Sequence, residues 1–398
     1  MPIKTVSDAQ DRPTESELIA RAKAMQPMLR ERAQACEDLR RVPDETMQAF
    51  HEAGFFKILQ PAAYGGYEMR PLTAFKVSME LAKACPSSAW VENLLSVHNW
   101  EIALIDPRTA EDVWGEDPTL LLSSSYAPFG KVEVVEGGYK VTGRWPWSSG
   151  CDHGQWVILG GAIRGPEGID PRAFIIPRSD YEIDDTWFVI GLKGTGSKDI
   201  VVKDAFVPEH RTHAFKRSFS RTEIGWQTFD APGYKYPFGI VFAYCLAVNT
   251  IGMAEGALET FQEDMAKRTA AYDNAKALED PFVRQRLAHA EALIRGAKNR
   301  LEANFAELDF FIDSDSDLPI EIRVRNKWDA QVIAKDSMEA VDLLFKASGG
   351  SGIRESHPIQ RYFRDIHAAS NHAFLNADRG SLNAGGVLLG LPTGDMTL

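Results

Sequence analysis

The chain has 398 residues, of which 44% are hydrophobic and 25% charged, and its formal net charge is -12 at pH 7. This composition is typical of a globular protein with a large core, and the negative charge argues against nucleic acid or an anionic membrane surface as a partner. No uninterrupted apolar run reaches the length of a membrane span, and the polar start lacks the apolar segment of a signal peptide.

The cysteines also bear on the location of the protein. There are four, at widely separated positions, and no two form a CxxC pair. Such spacing is typical of free thiols in a reducing compartment and gives no support for a metal site. We therefore expect a cytoplasmic protein without a bound metal.

The first part of the chain reads as helical. From Glu15 to about Glu116 apolar residues recur at spacings of three and four, and Pro27 inside the first run predicts a kink or a break there. Trp90 and His98 are eight residues apart on a later predicted helix. They are therefore expected to face the same cavity.

Near Leu120 the hydrophobic period changes to that of strands. A Gly-Gly turn between two alternating runs predicts a hairpin, and several short apolar runs rich in β-branched and aromatic residues follow. The predicted strands are 120–125, the hairpin 131–141, 156–160, 173–176 and 200–207. This part is expected to form a β domain of about a hundred residues.

From about Pro237 the helical period returns in long runs, which predicts an up-and-down helix bundle. The runs are 243–265, 281–311, 320–348 and a closing helix. The chain is thus expected to be an α+β protein with three domains, at residues 1–118, 119–226 and 227–398. It contains no GxGxxG strand-turn-helix unit and no GxxxxGK[ST], so neither a Rossmann nor a P-loop nucleotide site is supported.

The closing helix carries an unusual set of polar residues. Between Gln360 and Phe374 no Pro or Gly interrupts the run, and at helical spacing Arg364 and His372 share one face, with Asp365 close to the same stripe. An imidazole, an acid and a guanidinium along one side of a helix make this stretch a candidate functional element.

The order of helical domain, β domain and helix bundle resembles the acyl-CoA dehydrogenase fold. Within it, the chain more closely resembles the oxygenase components of two-component flavin-dependent monooxygenases, over most of its length. The matching motifs are Tyr64-Gly65-Gly66, 191–199, 206–209 and 361–365, and the more specific ones are 123–131, 147–153 and 177–183.

The resemblance implies an aromatic hydroxylase that uses O2 and reduced FMN or FAD, supplied as a diffusible molecule by a separate flavin reductase. The flavin would form a C4a-hydroperoxide that transfers an OH group to the ring. Ser149 matches the residue at the flavin N5, Trp147 one that packs near the ring system, and Ser124 one that lines the flavin and substrate cavity. His98 matches the histidine that meets the substrate hydroxyl, and His372 the histidine beside the flavin C4a.

Other matches concern the substrate pocket. Trp90, Phe242 and Phe374 would line it, with Phe374 standing where a relative has a tyrosine. Gly239 stands where a relative has an arginine that pairs with a substrate carboxylate, with Lys235 nearby. The pocket is therefore less polar, and a phenolic, indolic or polycyclic aromatic substrate remains open.

Three weaker matches concern the rest of the flavin. Gly349 and Gly350 lie in a Ser-Gly loop that suits close backbone contact with a flavin tail, although a helix C-cap explains the same residues equally well. Arg268 matches a region that reaches the flavin of a neighbouring subunit, which implies a homotetramer.

The alternative is an acyl-CoA dehydrogenase-type oxidoreductase with tightly bound FAD. Most such enzymes carry a glutamate base near this point of the closing helix. Here the run is Asn371-His372-Ala373-Phe374, without a carboxylate, although a few dehydrogenases place the base on an earlier helix. A non-catalytic helical assembly protein that merely retains the fold is a third interpretation.

Overall fold

The computed structural model describes residues 12–166, 168–267 and 277–398. Along the chain these residues form a set of helices, then strands, then long helices again. The α+β class predicted from the sequence is therefore confirmed. The domain boundaries at 118 and 226 stay predictions. Position 118 lies between a helix and a strand, and position 226 lies in the connection before the first long helix of the bundle.

One helix of the first segment is buried along its whole length, and the other helices of that segment lie around it. These helices are α1 (Glu15–Leu39), α2 (Asp44–Ala53), α3 (Pro71–Ala82), α4 (Pro86–Ile102) and α5 (Pro107–Trp114). Every residue of α4 is buried, polar ones included. Because α4 packs against α3, against strand β1 and against the later helix α7, its side chains reach the junction of all three segments.

Helix α1 passes through Pro27 without a break, contrary to the break considered from the sequence. A capping box closes its start: the Thr14 side chain accepts from Glu17 N, and the Glu17 side chain accepts from Thr14 N. Apolar residues of α1 are buried on both sides of the proline. Tertiary packing thus holds the helix together where the local propensity is poor.

The strands form two four-stranded sheets with the orders β1-β4-β5-β8 and β2-β3-β7-β6. All neighbouring pairs are antiparallel except β1 and β4, which are parallel. The strands are β1 (Leu122–Ser125), β2 (Lys131–Val135), β3 (Gly138–Ser148), β4 (Trp156–Gly165), β5 (Gly168–Pro177), β6 (Tyr181–Asp184), β7 (Lys198–Pro208) and β8 (Thr212–Ala214). Residues of both sheets form a shared apolar core that includes Trp145 and Phe174.

A short helix, α6 (Phe215–Ser220), follows the last strand. The last segment contains three long helices and two shorter ones at the end: α7 (Phe238–Met265), α8 (Pro281–Asp313), α9 (Ile320–Gly352), α10 (Pro358–Ser370) and α11 (Ala377–Leu388). Helix α9 packs against α7, α8, α10 and α11. The long helices predicted from the sequence are therefore present.

Helix α7 is long and apolar enough to cross a membrane by length and composition alone. In this fold, 94% of its most apolar window is buried inside the protein. It is hydrophobic on all sides because it is the central helix of the bundle, in contact with α3, α4, α9 and α10.

The closing helix is shorter than predicted, because α10 ends at Ser370. Asn371 caps it, and His372 has an extended backbone, with φ -65° and ψ 136°. The expectation that His372 shares a helical face with Arg364 is therefore wrong. The chain turns at this point, and the imidazole is directed by the turn and not by the helix.

Candidate active site

Phe242 on α7 is the centre of a cluster of aromatic rings at the junction of the three segments. Its ring is stacked on that of His98 at 6.3 Å between centroids and lies edge-on to Tyr126 and Phe374, both at 4.9 Å. The ring of His372 is 6.3 Å away. We call these five rings the aromatic cage. The structure thus brings together four residues predicted from the sequence with one, Tyr126, to which the sequence assigned no role.

Trp90 extends this cage to the end of strand β3. Its ring centroid lies 6.1 Å from that of His372, and its indole N–H donates to Ser149 Oγ at 3.3 Å. Trp90 is 4% exposed, so it is a wall of the site and not a surface residue. Trp90 and His98, which the sequence placed on one face of a helix, both contact cage residues.

Ser149 belongs to a chain of hydroxyl groups whose direction is fixed at its far end. Thr195 Oγ1 donates to the carbonyl of Leu192 at 2.9 Å, so the hydroxyl of Ser197, at 2.7 Å, must donate to Thr195. Ser149 Oγ, 2.7 Å from Ser197, must in turn donate to Ser197. Since a hydroxyl has one proton and two lone pairs, and Trp90 occupies one of these, Ser149 has one lone pair left. It can act only as an acceptor toward a ligand.

A hydrogen bond within its own turn makes the neutral ring of His372 a hydrogen-bond donor. Its Nδ1 accepts from the backbone N–H of Phe374 at 3.2 Å, so the neutral ring must carry its proton on Nε2. Desolvation lowers the pKa of His372, which keeps the half-buried ring neutral at pH 7. Its ring contacts are with Trp90, Phe242 and Phe374.

The other polar residues of the closing helix hold it in place and do not face the cage. Asp365 Oδ1 accepts from the backbone N–H of Leu192 at 2.6 Å, and Arg364 binds Glu37 at 2.8 Å and the carbonyl of Ile190 at 2.7 Å. Desolvation raises the pKa of Asp365 to about 7. Of the polar residues predicted to share one face, Arg364 and Asp365 thus hold α10 against its neighbours. His372, which lies beyond the end of α10, belongs to the site.

His98 has the opposite polarity to His372. The hydroxyl of Tyr126 donates to Glu101 Oε2, so its oxygen accepts from His98 Nδ1, 3.3 Å away. His98 Nε2 is then the acceptor, and among the described residues it has no hydrogen-bond partner. The ring is 1% exposed, and desolvation lowers its pKa to about 4. One imidazole of the cage is thus an acceptor and the other a donor.

The partners of Tyr126 were not predicted from the sequence. Burial raises the pKa of Tyr126 well above its ordinary value, Glu101 adds to the rise, and a hydrogen bond with Ser124 opposes it. Ser124 is buried in β1, and its hydrogen bond with Tyr126 places it beside the cage; its role toward flavin and substrate stays a prediction. Glu101 also accepts from His213 Nδ1, at 2.7 Å. The spacing of three residues between His98 and Glu101 is the one feature of the sequence that could have indicated that Glu101 lies near this site.

Trp147 lies two residues before the half-buried Ser149 and faces solvent. Its side chain is 61% exposed, with φ +69°, and it meets the ring of Phe129, itself 56% exposed, edge-on at 6.3 Å. Two large aromatic residues exposed side by side suit contact with a flat apolar ligand or another subunit.

The remaining residues predicted for the flavin lie away from the cage or outside the described residues. Gly349 has φ 58° and ψ -151° inside a kink of α9, and Gly350 is exposed with open space around its Cα. Among the described residues, neither glycine is in hydrogen-bond contact with a residue of the cage. Arg268 lies outside the described residues. For these three residues the role implied by the resemblance stays a prediction.

The last residues of the chain close one side of the site. The backbone N–H of Gly239 donates to Thr397 O at 2.8 Å, and a Cβ at Gly239 would lie 2.3 Å from that oxygen. The ammonium of Lys327, bound to Asp395 and to Thr397 Oγ1 at 2.7 Å, lies 4.6 Å from the ring centroid of Phe374. The tail therefore occupies the space where an arginine side chain at position 239 would begin.

The comparisons with known proteins agree with this fold. Two family models match, described as the acyl-CoA dehydrogenase N-terminal domain over residues 15–105 and the acyl-CoA dehydrogenase C-terminal domain over residues 244–377. These matches, together with the order of the three segments, define a protein of the acyl-CoA dehydrogenase fold.

Individual relatives define the family more closely. The oxygenase subunit HsaA of a flavin-dependent monooxygenase from Mycobacterium tuberculosis is 43% identical, over 93% of this chain and 94% of the relative. The oxygenase component of an FADH2-dependent resorcinol hydroxylase from Rhizobium is 32% identical, over 94% of each chain. A crystal structure of the M. tuberculosis HsaA monooxygenase superposes with a TM-score of 0.92 and 42% identity, covering 96% of this chain and 100% of that one. The chain therefore belongs to the family of flavin-dependent monooxygenase oxygenase components and is an enzyme.

Proposed function

We propose that the protein is the oxygenase component of a two-component flavin-dependent monooxygenase that hydroxylates a phenolic ring. It would receive reduced FMN or FAD from a separate reductase and act in the cytoplasm. Two observations support the need for a reductase: related proteins carry the words oxygenase subunit or oxygenase component in their names, and the sequence has no nicotinamide-binding fingerprint.

The observation that carries the proposal is the pair of oppositely oriented imidazoles in one aromatic cage. His98 offers an acceptor nitrogen and His372 a donor N–H, and Phe242 lies between them. Reduced flavin held in this site would supply, with O2, the electrophilic oxygen. The protein must activate the ring and stabilise negative charge on oxygen, and these tasks need one base and one donor.

His98 would accept the proton of the phenol. A phenolate donates more electron density to its ring than a phenol, so removal of the proton favours attack by the ring on an electrophilic oxygen. His98 Nε2 is suited to this step because Tyr126 fixes the proton of the neutral ring on Nδ1. Phe242 and Phe374 would hold the aromatic substrate by edge and face contacts.

The residues around Ser149 fit a reduced flavin. The N5 of reduced flavin carries a proton, whereas that of oxidised flavin has only a lone pair, and Ser149 offers an acceptor whose own proton is committed to Ser197. The exposed ring of Trp147 would cover part of the flavin. His372 would donate its Nε2 proton to the oxygen that becomes negative.

The dehydrogenase alternative lacks its base in this site. Abstraction of a proton next to a thioester needs a free carboxylate, and no aspartate or glutamate is in ring or hydrogen-bond contact with Phe242, Phe374 or His372 among the described residues. Glu101 is the carboxylate in contact with a cage residue, and it is bound by both Tyr126 and His213. A colourless protein that does not reduce a dye with acyl-CoA would agree with the monooxygenase.

We also propose a homotetramer built through the helices of the last segment. Large apolar side chains are exposed on this segment, which suits burial in an interface. They include Phe310, Ile353, Leu382, Leu388 and Leu389. Light scattering on the purified protein tests this assembly, and a monomeric mass would contradict it.

The experiment for the activity uses reduced flavin, 18O2 and a panel of phenols, indoles and polycyclic aromatics. We expect a product heavier by one labelled oxygen atom with a phenol and transient absorbance of a C4a-adduct on rapid mixing. If no substrate class incorporates label and no adduct forms, the proposal is wrong.

Two histidine variants test the assignment of roles, with the exposed His289→Gln as the control. His98→Asn retains an N–H that can donate to Tyr126 but removes the base. We expect product to fall about 100-fold, the lower end for general-base catalysis, while hydrogen peroxide is released instead. His372→Ala should reduce the yield of the adduct itself. Normal hydroxylation by both variants would contradict the assignment.

A further inference from the structure

A continuous chain of buried polar contacts runs away from the acceptor histidine of the site. His98 Nδ1 contacts the hydroxyl of Tyr126 at 3.3 Å, and Tyr126 binds Glu101 Oε2. Glu101 Oε1 lies 2.7 Å from His213 Nδ1, and His213 Nε2 lies 3.3 Å from Glu223 Oε1. His98, Glu101, His213 and Glu223 are buried, with exposures of 6% or less, and Tyr126 is half-buried. We call this set the polar chain.

The polar chain ends at the floor of a surface pocket of about 320 Å³. His213 and Glu223 both line this pocket, although each is itself buried. Four cationic side chains surround it: Arg108, Arg172, Lys216 and Arg217. Three of these are exposed, so the pocket communicates with solvent on the side of the protein where β5, β8 and α6 meet.

The polar chain is longer than orientation of His98 requires. One carbonyl or carboxylate is enough to fix the tautomer of a histidine. Here the contacts continue through two further ionisable groups, at the cost of burying an imidazole between two carboxylates. Desolvation opposes its charge, but the carboxylates of Glu223 and Glu101 raise the pKa of His213 to about 10. Each neighbouring pair in the chain can exchange a proton through an existing contact.

The acceptor histidine is also poorly suited to keep a proton. Its pKa of about 4 reflects a site in which the charged ring is disfavoured by desolvation. A proton taken from a phenol therefore has to leave the ring, and Tyr126 is the hydrogen-bond partner of the ring among the described residues.

We propose that Tyr126, Glu101, His213 and Glu223 form a proton relay that carries the substrate proton from His98 to the surface pocket. The inference rests on the proposed role of His98 as the base. His98 accepts the phenol proton at Nε2 and gives its Nδ1 proton to Tyr126, whose own proton passes to Glu101.

The second half of the relay completes the transfer. The proton that reaches Glu101 neutralises the carboxylate that stabilised the charge on His213. His213 therefore gives its Nε2 proton to Glu223, which releases it to water in the pocket, while its Nδ1 proton stays on the ring. One proton leaves the phenol and one reaches solvent, so the relay is neutral overall and is reset by rotation of the hydroxyl and by proton return. No oxidation or reduction occurs in this step.

The test follows ionisation of 4-nitrophenol, whose phenolate absorbs visible light, by stopped flow with the flavin-free protein at a pH below the pKa of the probe. An indicator dye in weakly buffered solution records the proton that reaches solvent. Tyr126→Phe removes one hydroxyl, and Glu223→Gln retains an oxygen that accepts from His213 but cannot take a proton. Tyr234→Phe is the matched control, because this buried hydroxyl donates to the carbonyl of Leu59 at 3.1 Å outside the chain.

We expect the wild type and Tyr234→Phe to form phenolate and release a proton together. Tyr126→Phe and Glu223→Gln should slow both signals at least tenfold. Glu223→Gln, which lies outside the cage, should leave affinity and final phenolate yield unchanged, and Glu223→Asp should restore the rate. Glu223 is four contacts from His98, so a merely positional role predicts no change in rate for Glu223→Gln.

The outcomes separate the two proposals. A wild type that binds the probe without ionising it would overturn both the base role of His98 and the relay. Normal ionisation at wild-type rates in the folded variants would overturn the relay alone. A loss of affinity or final yield without a change in rate would show that the polar chain only positions His98, and would also overturn the relay.

Discussion

The charge on His213 should make the stability of this protein depend on pH in the alkaline range. His213 lies between Glu101 and Glu223 and is 1% exposed, and its pKa is raised to about 10 in the folded state. An unfolded histidine has a pKa of about 6.5. Because the folded value is the higher one, the stabilisation is fully present below pH ~6.5 and is lost as the pH rises through about 10.

The two pKa values set the size of the effect. Linkage gives a contribution to the free energy of unfolding of about 4 kcal/mol at pH 7, falling to about 0.4 kcal/mol at pH 10. Removal of the ring should cost a similar amount at pH 7, about 3–5 kcal/mol, because it leaves two buried carboxylates without their cation. The free-energy difference between the wild type and His213→Gln should therefore shrink by most of its value between pH 7 and pH 10.

Melting curves at pH 7, 8, 9 and 10 measure this difference for the wild type and His213→Gln. Ser218→Ala is the control: its hydroxyl contacts the same Nε2 at 2.9 Å but does not titrate, so its difference from the wild type should stay nearly constant with pH. At about 2 °C per kcal/mol or less for a chain of this size, the gap for His213→Gln should narrow by several degrees. A gap that stays constant to pH 10 would refute a charged His213 between the two carboxylates.

Three further predictions concern the cage and its support. Ser149→Ala should weaken the binding of reduced flavin by about 5- to 10-fold, the worth of about one hydrogen bond, and change the dissociation constant of oxidised flavin less, as measured by anaerobic and aerobic titration; equal losses would contradict the assigned direction of the hydroxyl. Phe242→Ala should cost about 3–5 kcal/mol of unfolding free energy in denaturant titrations, whereas Phe242→Leu should cost less and mainly weaken the binding of an aromatic probe; a small cost for alanine would show that the ring is not central to packing. Asp365→Asn should raise the melting temperature at pH 8, since desolvation raises the pKa of this carboxyl to about 7 and its ionised form is disfavoured in the folded state; the gain should disappear near pH 4, and a loss at pH 8 would contradict it.

The long elements of this fold could be predicted because their hydrophobic patterns are local. In the hairpin around Gly137, the two runs of alternating apolar and polar residues form β2 and β3. Helix α8 begins at Pro281, as predicted. Pro27 shows the limit of local rules. Burial of Leu29 and Ala33 beyond it holds one continuous helix, a consequence of packing that the sequence around the proline does not reveal.

Much of the site could also be placed, but only through family resemblance. Trp90 contacts Ser149, 59 positions away, and His98 contacts Phe242, 144 positions away (242 − 98). Helical spacing joins Trp90 to His98, but no periodicity joins either of them to Ser149 or Phe242. The polar chain shows the same limit more strongly: Glu101 and His213 are 112 residues apart, and their contact forms because β8 pairs with β5 at the edge of a sheet beside α4.

The chemical roles of the two histidines depend on the atoms that bind their Nδ1 positions. At His372 that partner is the N–H of Phe374, available because α10 ends at Ser370 and the chain turns. At His98 it is the hydroxyl of Tyr126, whose proton is already committed to Glu101. The same side chain thus becomes a donor in one place and an acceptor in the other, since the neutral ring has a single proton to place. A helix that continued through His372 would have removed the free N–H of Phe374 from this position, and with it the difference between the two rings on which the proposed chemistry depends.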